Sequence, residues 1–193
     1  FNRWILAGYE MIQSRDAFVY HLTCRGHRWN KGVGIVNDDY ESTMTRCRRD
    51  FIRKWGDWIR NDEYQFPIIN SKYDIAFIIT NCSLELLSNL ELWCSRIYCN
   101  TDIIKYMSLE QPNTKFDLKE RVFNLDEDKQ GQILVEIDGN QFTQQDYQYI
   151  QQLPAILDDS TFLEEDYGEQ FEVGNLRLTI LATDTFEKEL IKN

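Results

Sequence analysis

No apolar run in this chain approaches the roughly 18 residues that a membrane-spanning helix needs, and residues 1–9 lack the basic start and long apolar stretch of a secretion signal. Internal repeats and low-complexity tracts are also missing, which excludes solenoids and solvated tails. The five cysteines (Cys24, Cys47, Cys82, Cys94 and Cys99) are odd in number and show no Cys-x-x-Cys pair. Neither a closed disulfide framework nor a structural zinc site is indicated, and a reducing, cytoplasmic compartment is expected. Basic charge is short as well: 21 Lys and Arg against 32 Asp and Glu leave a net charge of −11. Such a surface repels a phosphate backbone at long range, so no nucleic-acid partner is expected. The shortage is uneven, because residues 1–63 carry +2 and residues 64–193 carry −13.

A core, by contrast, is well supplied. The 193 residues are 42% apolar and 13% aromatic, enough for one or two domains. Residues 1–8 read as the end of a helix, with Gly8 in its left-handed cap. Residues 17–22 are β-prone, and the glycine-bearing stretch 23–37 has no period and reads as a mobile loop. Asp38 and Glu41 form a capping-box pattern, and Met44, Cys47, Phe51, Trp55, Trp58 and Ile59 then recur at helical spacing, which predicts a helix over 38–61. Its other face shows Arg46, Arg49, Arg53 and Arg60, a solvated face or, alternatively, an anion-facing one. Residues 62–71, with Pro67, read as a linker.

From Lys72 onward strands and helices alternate, the signature of a layered α/β domain with a mixed sheet. Strands are expected over 73–80, 96–99, 121–125, 132–137, 170–173 and 176–181, the last two joined at Gly174-Asn175 as a hairpin. Helices are expected over 83–93, from 100 or 101 to before Pro112, 143–156 and 184–191. Ser83 and Thr143 read as N-caps. After the first of these strands comes Thr80-Asn81-Cys82-Ser83, without the Gly-x-Gly-x-x-Gly turn that brings a backbone up to a pyrophosphate, so a dinucleotide site is not expected there. Asp138, Asp158, Asp159 and Glu164-Glu165-Asp166 could gather a hard cation but read as turn chemistry and solvation. Cys82, Cys94 and Cys99 read as core.

Chemistry concentrates near the N-terminus, which holds both histidines and four of the five tryptophans. His21 is followed closely by Arg25, His27, Arg28 and Trp29. Imidazole can ligate a metal, arginine can hold a diphosphate bidentately, and tryptophan can stack on a sugar or base. Arg3 through His21, with Ala7-Gly8-Tyr9 and Asp16-Ala17-Phe18-Val19-Tyr20-His21, resembles the segment that follows the acidic catalytic motif in family 2 glycosyltransferases of the GT-A fold. The resemblance covers about residues 1–61. Enzymes of that family bind a nucleotide sugar on an N-terminal Rossmann-like half and hold a divalent metal, Mn or Mg, with an Asp-x-Asp motif.

The resemblance implies that residues 1–61 are the tail of a glycosyltransferase domain and residues 72–193 an accessory α/β domain. It also implies that the whole enzyme takes a nucleotide sugar and a glycan acceptor. Carried over by residue, His21 would be a metal or diphosphate ligand, with Arg25, His27, Arg28 and Trp29 as substrate or diphosphate contacts. No catalytic residue is assigned. The chain begins at Phe1 without an initiator Met, so it is expected to be a C-terminal fragment, inactive alone and without a cofactor of its own. A non-catalytic protein-interaction module is the alternative reading, and association as a homodimer through residues 1–61 is expected. The first outcome to check is turnover: the purified chain, incubated with sugar nucleotides and Mn²⁺, should release no nucleoside diphosphate, and measurable release would refute the inactive-fragment reading.

Overall fold

The computed structural model describes residues 1–12, 14, 16, 17, 38–160 and 166–191. The most apolar segment, Ile75–Thr80 (β3), is a strand with nearly every residue covered, as expected of a central parallel strand. Arg96–Cys99 (β4) and Ile133–Asp138 (β6) pair with it in parallel on either side, and Val122–Asn124 (β5) pairs in parallel with β4. Gln170–Val173 (β7) and Leu176–Ile180 (β8) form the expected hairpin at Gly174-Asn175, and β8 joins β6 antiparallel. The sheet therefore runs β5-β4-β3-β6-β8-β7. Its first four strands in chain order lie 3-2-1-4, as in the first half of a dinucleotide-binding sheet. The expected mixed α/β fold is what the chain adopts.

Alternate residues of every strand meet one continuous core. Phe77, Ile97, Val135 and Leu178 lie side by side across four strands and join Leu87, Leu90, Tyr106, Ile150 and Leu153 in that core. The helices supplying these are Leu84–Leu90 (α3), Ile103–Glu110 (α4) and Gln144–Asp159 (α5), so the helical layer covers one face. On the opposite face, loop 125–132 covers Ala76 and Tyr98: a Cβ on Gly131 would sit 2.7 Å from the Ala76 Cβ, and Gln130 N donates to the Tyr98 hydroxyl at 2.9 Å. Further along that face, Glu136, Arg177 and Glu172 lie in register and stay open to solvent.

At the N-terminus, Asn2–Leu6 (α1) is followed by Gly8 at φ +81, as expected. The long helix Asp38–Trp55 (α2) ends six residues before the expected Asn61. The cause is Gly56, which turns left-handed at φ +75 while its N–H closes on the Ile52 carbonyl at 2.7 Å. Trp58 and Ile59 extend the apolar period in sequence only. The segment expected to be a linker carries a two-stranded hairpin, Arg60–Asn61 (β1) with Pro67–Ile68 (β2), held by Asp62 accepting from Tyr64 N and Phe66 N. The strand expected over 17–22, apart from Ala17, and the loop over 23–37 lie outside the described residues.

The arginine face of α2 divides, which corrects both readings of it for two of its members. Arg53 is 1% exposed and Ile52 beside it is also 1% exposed, so this turn of α2 is part of the core. The Arg53 guanidinium donates to Glu91 (2.7 Å) and Glu110 (2.5 Å), and Arg49 donates to Glu110 at 2.8 Å. These cations are spent on carboxylates of the same chain. Glu91 has no exposed surface and also accepts from Arg121 Nε at 2.6 Å and the Tyr106 hydroxyl at 3.0 Å. The helix expected over 83–93 tightens here into a 3-10 turn, Glu91–Trp93, that presents this carboxylate inward. A final helix, Glu187–Ile191 (α6), places Leu190 in a buried position.

Burial alone would push the Glu91 carboxyl up, but Arg121 and Arg53 override it and hold it down at about 2. A depressed carboxyl contributes stability that is complete above its ordinary value of 4.5 and is lost as pH falls toward 2. Urea titrations should therefore show stability falling through that window, less steeply in Glu91→Gln. At neutral pH, Arg53→Met should cost about 3–5 kcal/mol because it strands buried carboxylates. A loss within 1 kcal/mol would contradict the role given to the network.

Candidate functional site

The functional site of an open α/β sheet forms where connections leave neighbouring strands in opposite directions. Here that place is fixed by topology: β3 leads toward β4, whereas β6, its neighbour, leads toward β7 and β8. At their carboxyl ends Thr80 and Asp138 are register partners. The two turns that follow touch. Gly139 N donates to the Thr80 carbonyl at 2.8 Å, and a Cβ on Gly139 would lie 2.3 Å from the Asn81 carbonyl oxygen. Only glycine fits this approach. Asn81 turns left-handed at φ +53, a conformation asparagine tolerates, and its amide donates to Asp138 Oδ1 at 2.9 Å. The same oxygen accepts Asn140 N at 3.0 Å, so Asp138 serves as the hinge of both turns.

Beyond the turns, α3 and α5 diverge and leave a crevice of about 520 Å³. Ser83 caps α3 by accepting from Leu86 N at 3.0 Å, as the sequence predicts. Thr143 caps α5 in a capping box completed by Asp146. Asp146 is 1% exposed and takes four donors: Thr143 N (2.8 Å), Thr143 Oγ1 (2.6 Å), Asn175 N (2.9 Å) and Asn175 Nδ2 (3.0 Å). Burial opposes ionisation of Asp146, but these hydrogen bonds win and hold its carboxyl at about 2. One side chain thus closes the start of α5 and pins the β7–β8 turn against it. On the crevice wall, the Tyr147 hydroxyl accepts from Trp93 Nε1 at 3.3 Å, which leaves its own proton free to donate.

The lining has a definite chemistry. Asn81, Asn89, Asn140 and Gln144 supply amides, Ser83, Thr143 and Tyr147 supply hydroxyls, and Phe142 and Tyr147 supply aromatic surface. Among the described residues Glu85 is the single charged residue of the lining, and no lysine, arginine or histidine contributes. Amides and hydroxyls match the edges of sugars and nucleobases, and aromatic rings stack on them. A phosphate would meet no cation here. Asp138, held below the usual carboxylate range by the Asn81 hydrogen bond and Asn140 N, adds negative charge nearby.

A divalent metal does not fit this donor set. Asp138-Gly139-Asn140 provides one carboxylate where an Asp-x-Asp motif provides two, and one oxygen of that carboxylate is already engaged by two N–H donors. Among the described residues no group of three or more His, Cys, Asp or Glu side chains could hold a metal. Asp158 ties the end of α5 to the entry of β3 by accepting from the Tyr73 hydroxyl at 2.7 Å and Ser71 N at 3.2 Å. That is a structural role within a helix, not the turn chemistry or solvation expected from its sequence context.

The residues singled out from the sequence, His21, Arg25, His27, Arg28 and Trp29, lie outside the described residues. Of the crevice residues the sequence marks Ser83 and Thr143, as N-caps only, because the turn after β3 has no glycine to signal a ligand. The usable signals were Asn81, which can turn left-handed without glycine, and Asp138-Gly139 closing the neighbouring strand. No helix among the described residues is long and apolar enough to cross a membrane. The molecule is a mixed α/β protein with a parallel half-sheet opening on an amide-rich crevice. Comparisons with protein-family models, curated proteins and solved structures returned no match.

Two substitutions check the construction of the site. Asp146→Ala should lower stability by about 2–3 kcal/mol, because it removes a charged cap and leaves the Asn175 donors unpaired. Gly139→Ala should cost about 1–3 kcal/mol, since the turns must part to admit a methyl group. Thermal unfolding measures both, and an unchanged transition in either would mean the turns are held by something else.

Proposed function

We propose that the chain contributes to nucleotide-sugar binding in a glycosyltransferase-type protein, and that the nucleoside of the donor occupies the crevice between α3 and α5. The crevice lies after β3, where the absence of a glycine-rich turn predicts no dinucleotide site, and its described lining residues are distinct from residues 21–29, which the family resemblance gives as metal, substrate or diphosphate contacts. The crevice carries the proposal: its place in a 3-2-1-4 half-sheet suits a nucleotide, and its lining suits the base and ribose. Asp138-Gly139-Asn140 supports a binding role over metal-assisted transfer, because it lacks the second carboxylate of the family's motif. The glycan acceptor and any metal-assisted step then belong to parts of the enzyme other than this crevice.

Calorimetry on the purified chain tests the reading with uridine, adenosine and guanosine, their diphosphates and sugar nucleotides. One nucleoside should bind with a dissociation constant on the order of 0.1–1 mM, and adding the diphosphate should improve it less than about threefold, since no cation among the described residues lines the crevice. Mn²⁺ should leave the affinity within about twofold. Tyr147→Ala and Asn140→Ala, both at accessible positions, should each weaken binding about tenfold. Absence of nucleoside binding at millimolar concentration, or binding indifferent to both substitutions, would overturn the proposal.

A further inference from the structure

A second concavity runs along the outer side of α2. Cys47, Phe51 and Trp55 form one wall, and Pro112 and Phe116, from the segment after α4, form the other, enclosing about 720 Å³. Phe51 also belongs to an adjoining hollow of about 240 Å³ that reaches Trp58 and Ile59, so the apolar floor is continuous. Trp58 is 40% exposed and Ile59 67% exposed, which is costly apolar surface for a chain with a well-filled core.

The rim is basic. Arg46, Lys54 and Lys115 border the larger hollow and Arg48 the smaller one. Among the described residues none of these four forms a salt bridge. The one carboxylate on the lining, Asp50, is already engaged by Arg53 Nη1 at 3.0 Å and Thr114 Oγ1 at 2.5 Å. Arg49 and Arg53, on the same helix, are spent on Glu110 and Glu91. Four cations without a carboxylate partner among the described residues surround one apolar floor, in a chain of net charge −11, and form the reverse of its general surface.

We infer that this groove docks an acidic amphipathic peptide segment of a partner protein, with apolar side chains on the Phe51–Phe116 floor and carboxylates on the basic rim. Charge selects this occupant. A basic or neutral apolar segment would leave the rim unanswered, whereas a carboxylate-flanked helix answers rim and floor together. A nucleic acid is disfavoured, because its phosphates would have to follow an apolar floor within the field of a strongly acidic chain.

Fluorescence anisotropy tests this with three labelled probes: a helix-forming peptide bearing a leucine stripe flanked by glutamates, the same peptide with lysine for every glutamate, and oligothymidylate. The acidic peptide should bind at least about tenfold more tightly than the basic one, a preference that shrinks as NaCl is raised toward about 0.5 M. Cys47, an exposed free thiol in the groove, should be protected from iodoacetamide by the acidic peptide, as read by mass spectrometry of the peptide containing it. In Arg46→Glu/Lys54→Glu/Lys115→Glu the preference should invert. Equal or absent binding of the two peptides, tighter binding of oligothymidylate, or acidic-peptide binding that leaves Cys47 unprotected would each overturn the inference, and the Cys47 readout on the unaltered chain decides it even if the triple variant misfolds.

Discussion

A carboxylate with no exposed surface must be answered inside the protein, and Glu91 imposes that requirement on this fold. Removing an ion from water costs several kcal/mol even after relaxation, so its partners must arrive with correct geometry. They come from three places: Arg53 from α2, Tyr106 from α4 and Arg121 from the entry to β5. Arg121 also donates to the carbonyls of Glu91 (2.9 Å) and Cys94 (2.6 Å), which holds the chain in its 3-10 turn before β4. The network is weak evidence for net stability, since an apolar replacement of matching shape could do as well. Its effect is positional, because α2, α4 and β5 can occupy only the places from which they reach one carboxylate.

That positioning extends to the crevice. Helix α3 has seven residues, with Ser83 at the crevice end and Glu91 just past the other. The wall facing the crevice is therefore anchored less than three turns away by the ion network. Trp93 continues the link: its ring meets Trp58 at 5.4 Å and Tyr147 at 6.3 Å, both edge-on. Lys72 adds a closure from the sheet side by donating to the Arg53 carbonyl at the end of α2 at 2.8 Å. The segment before β3 is thus continuous, through aromatic and ionic contacts, with the walls of the proposed nucleoside pocket.

Much of this was legible in the sequence wherever a local rule had no competitor. Gly174-Asn175 between two alternating runs, Ser83 and Thr143 ahead of apolar periods, and the unbroken apolar run of β3 each pointed to a single structure, and each is found. The helix expected to end near Ile156 runs on to Asp159 with Pro154 inside it. Apolar spacing continues through Trp58 and Ile59 past the end of α2, whereas Gly56 carries the overriding backbone signal. Arg53 and Arg49 looked like surface because arginine usually is, and their carboxylates lie 38 and 61 residues away in sequence. A long-range pair leaves no local trace. The one hint was Glu91 itself, a charge within Leu90-Glu91-Leu92-Trp93.

The crevice was obscured for a related reason. Asparagine, aspartate, serine and glycine after a strand serve equally for turns and for ligand contacts, so sequence alone cannot divide them. Geometry does: Asp138 Oδ1 is taken up within the turns, whereas Asn89, Asn140 and Tyr147 line open space. The charge balance gives this division its functional sense. With Glu85 on the wall, Asp138 behind it and no cation among the described lining residues, an anion entering the crevice meets a negative field in a partly desolvated hollow. Favourable interaction must come from hydrogen bonding and stacking, so the part of a ligand seated there has to be its neutral part. A nucleotide sugar entering by its nucleoside, with its phosphates directed outward to solvent, satisfies that constraint.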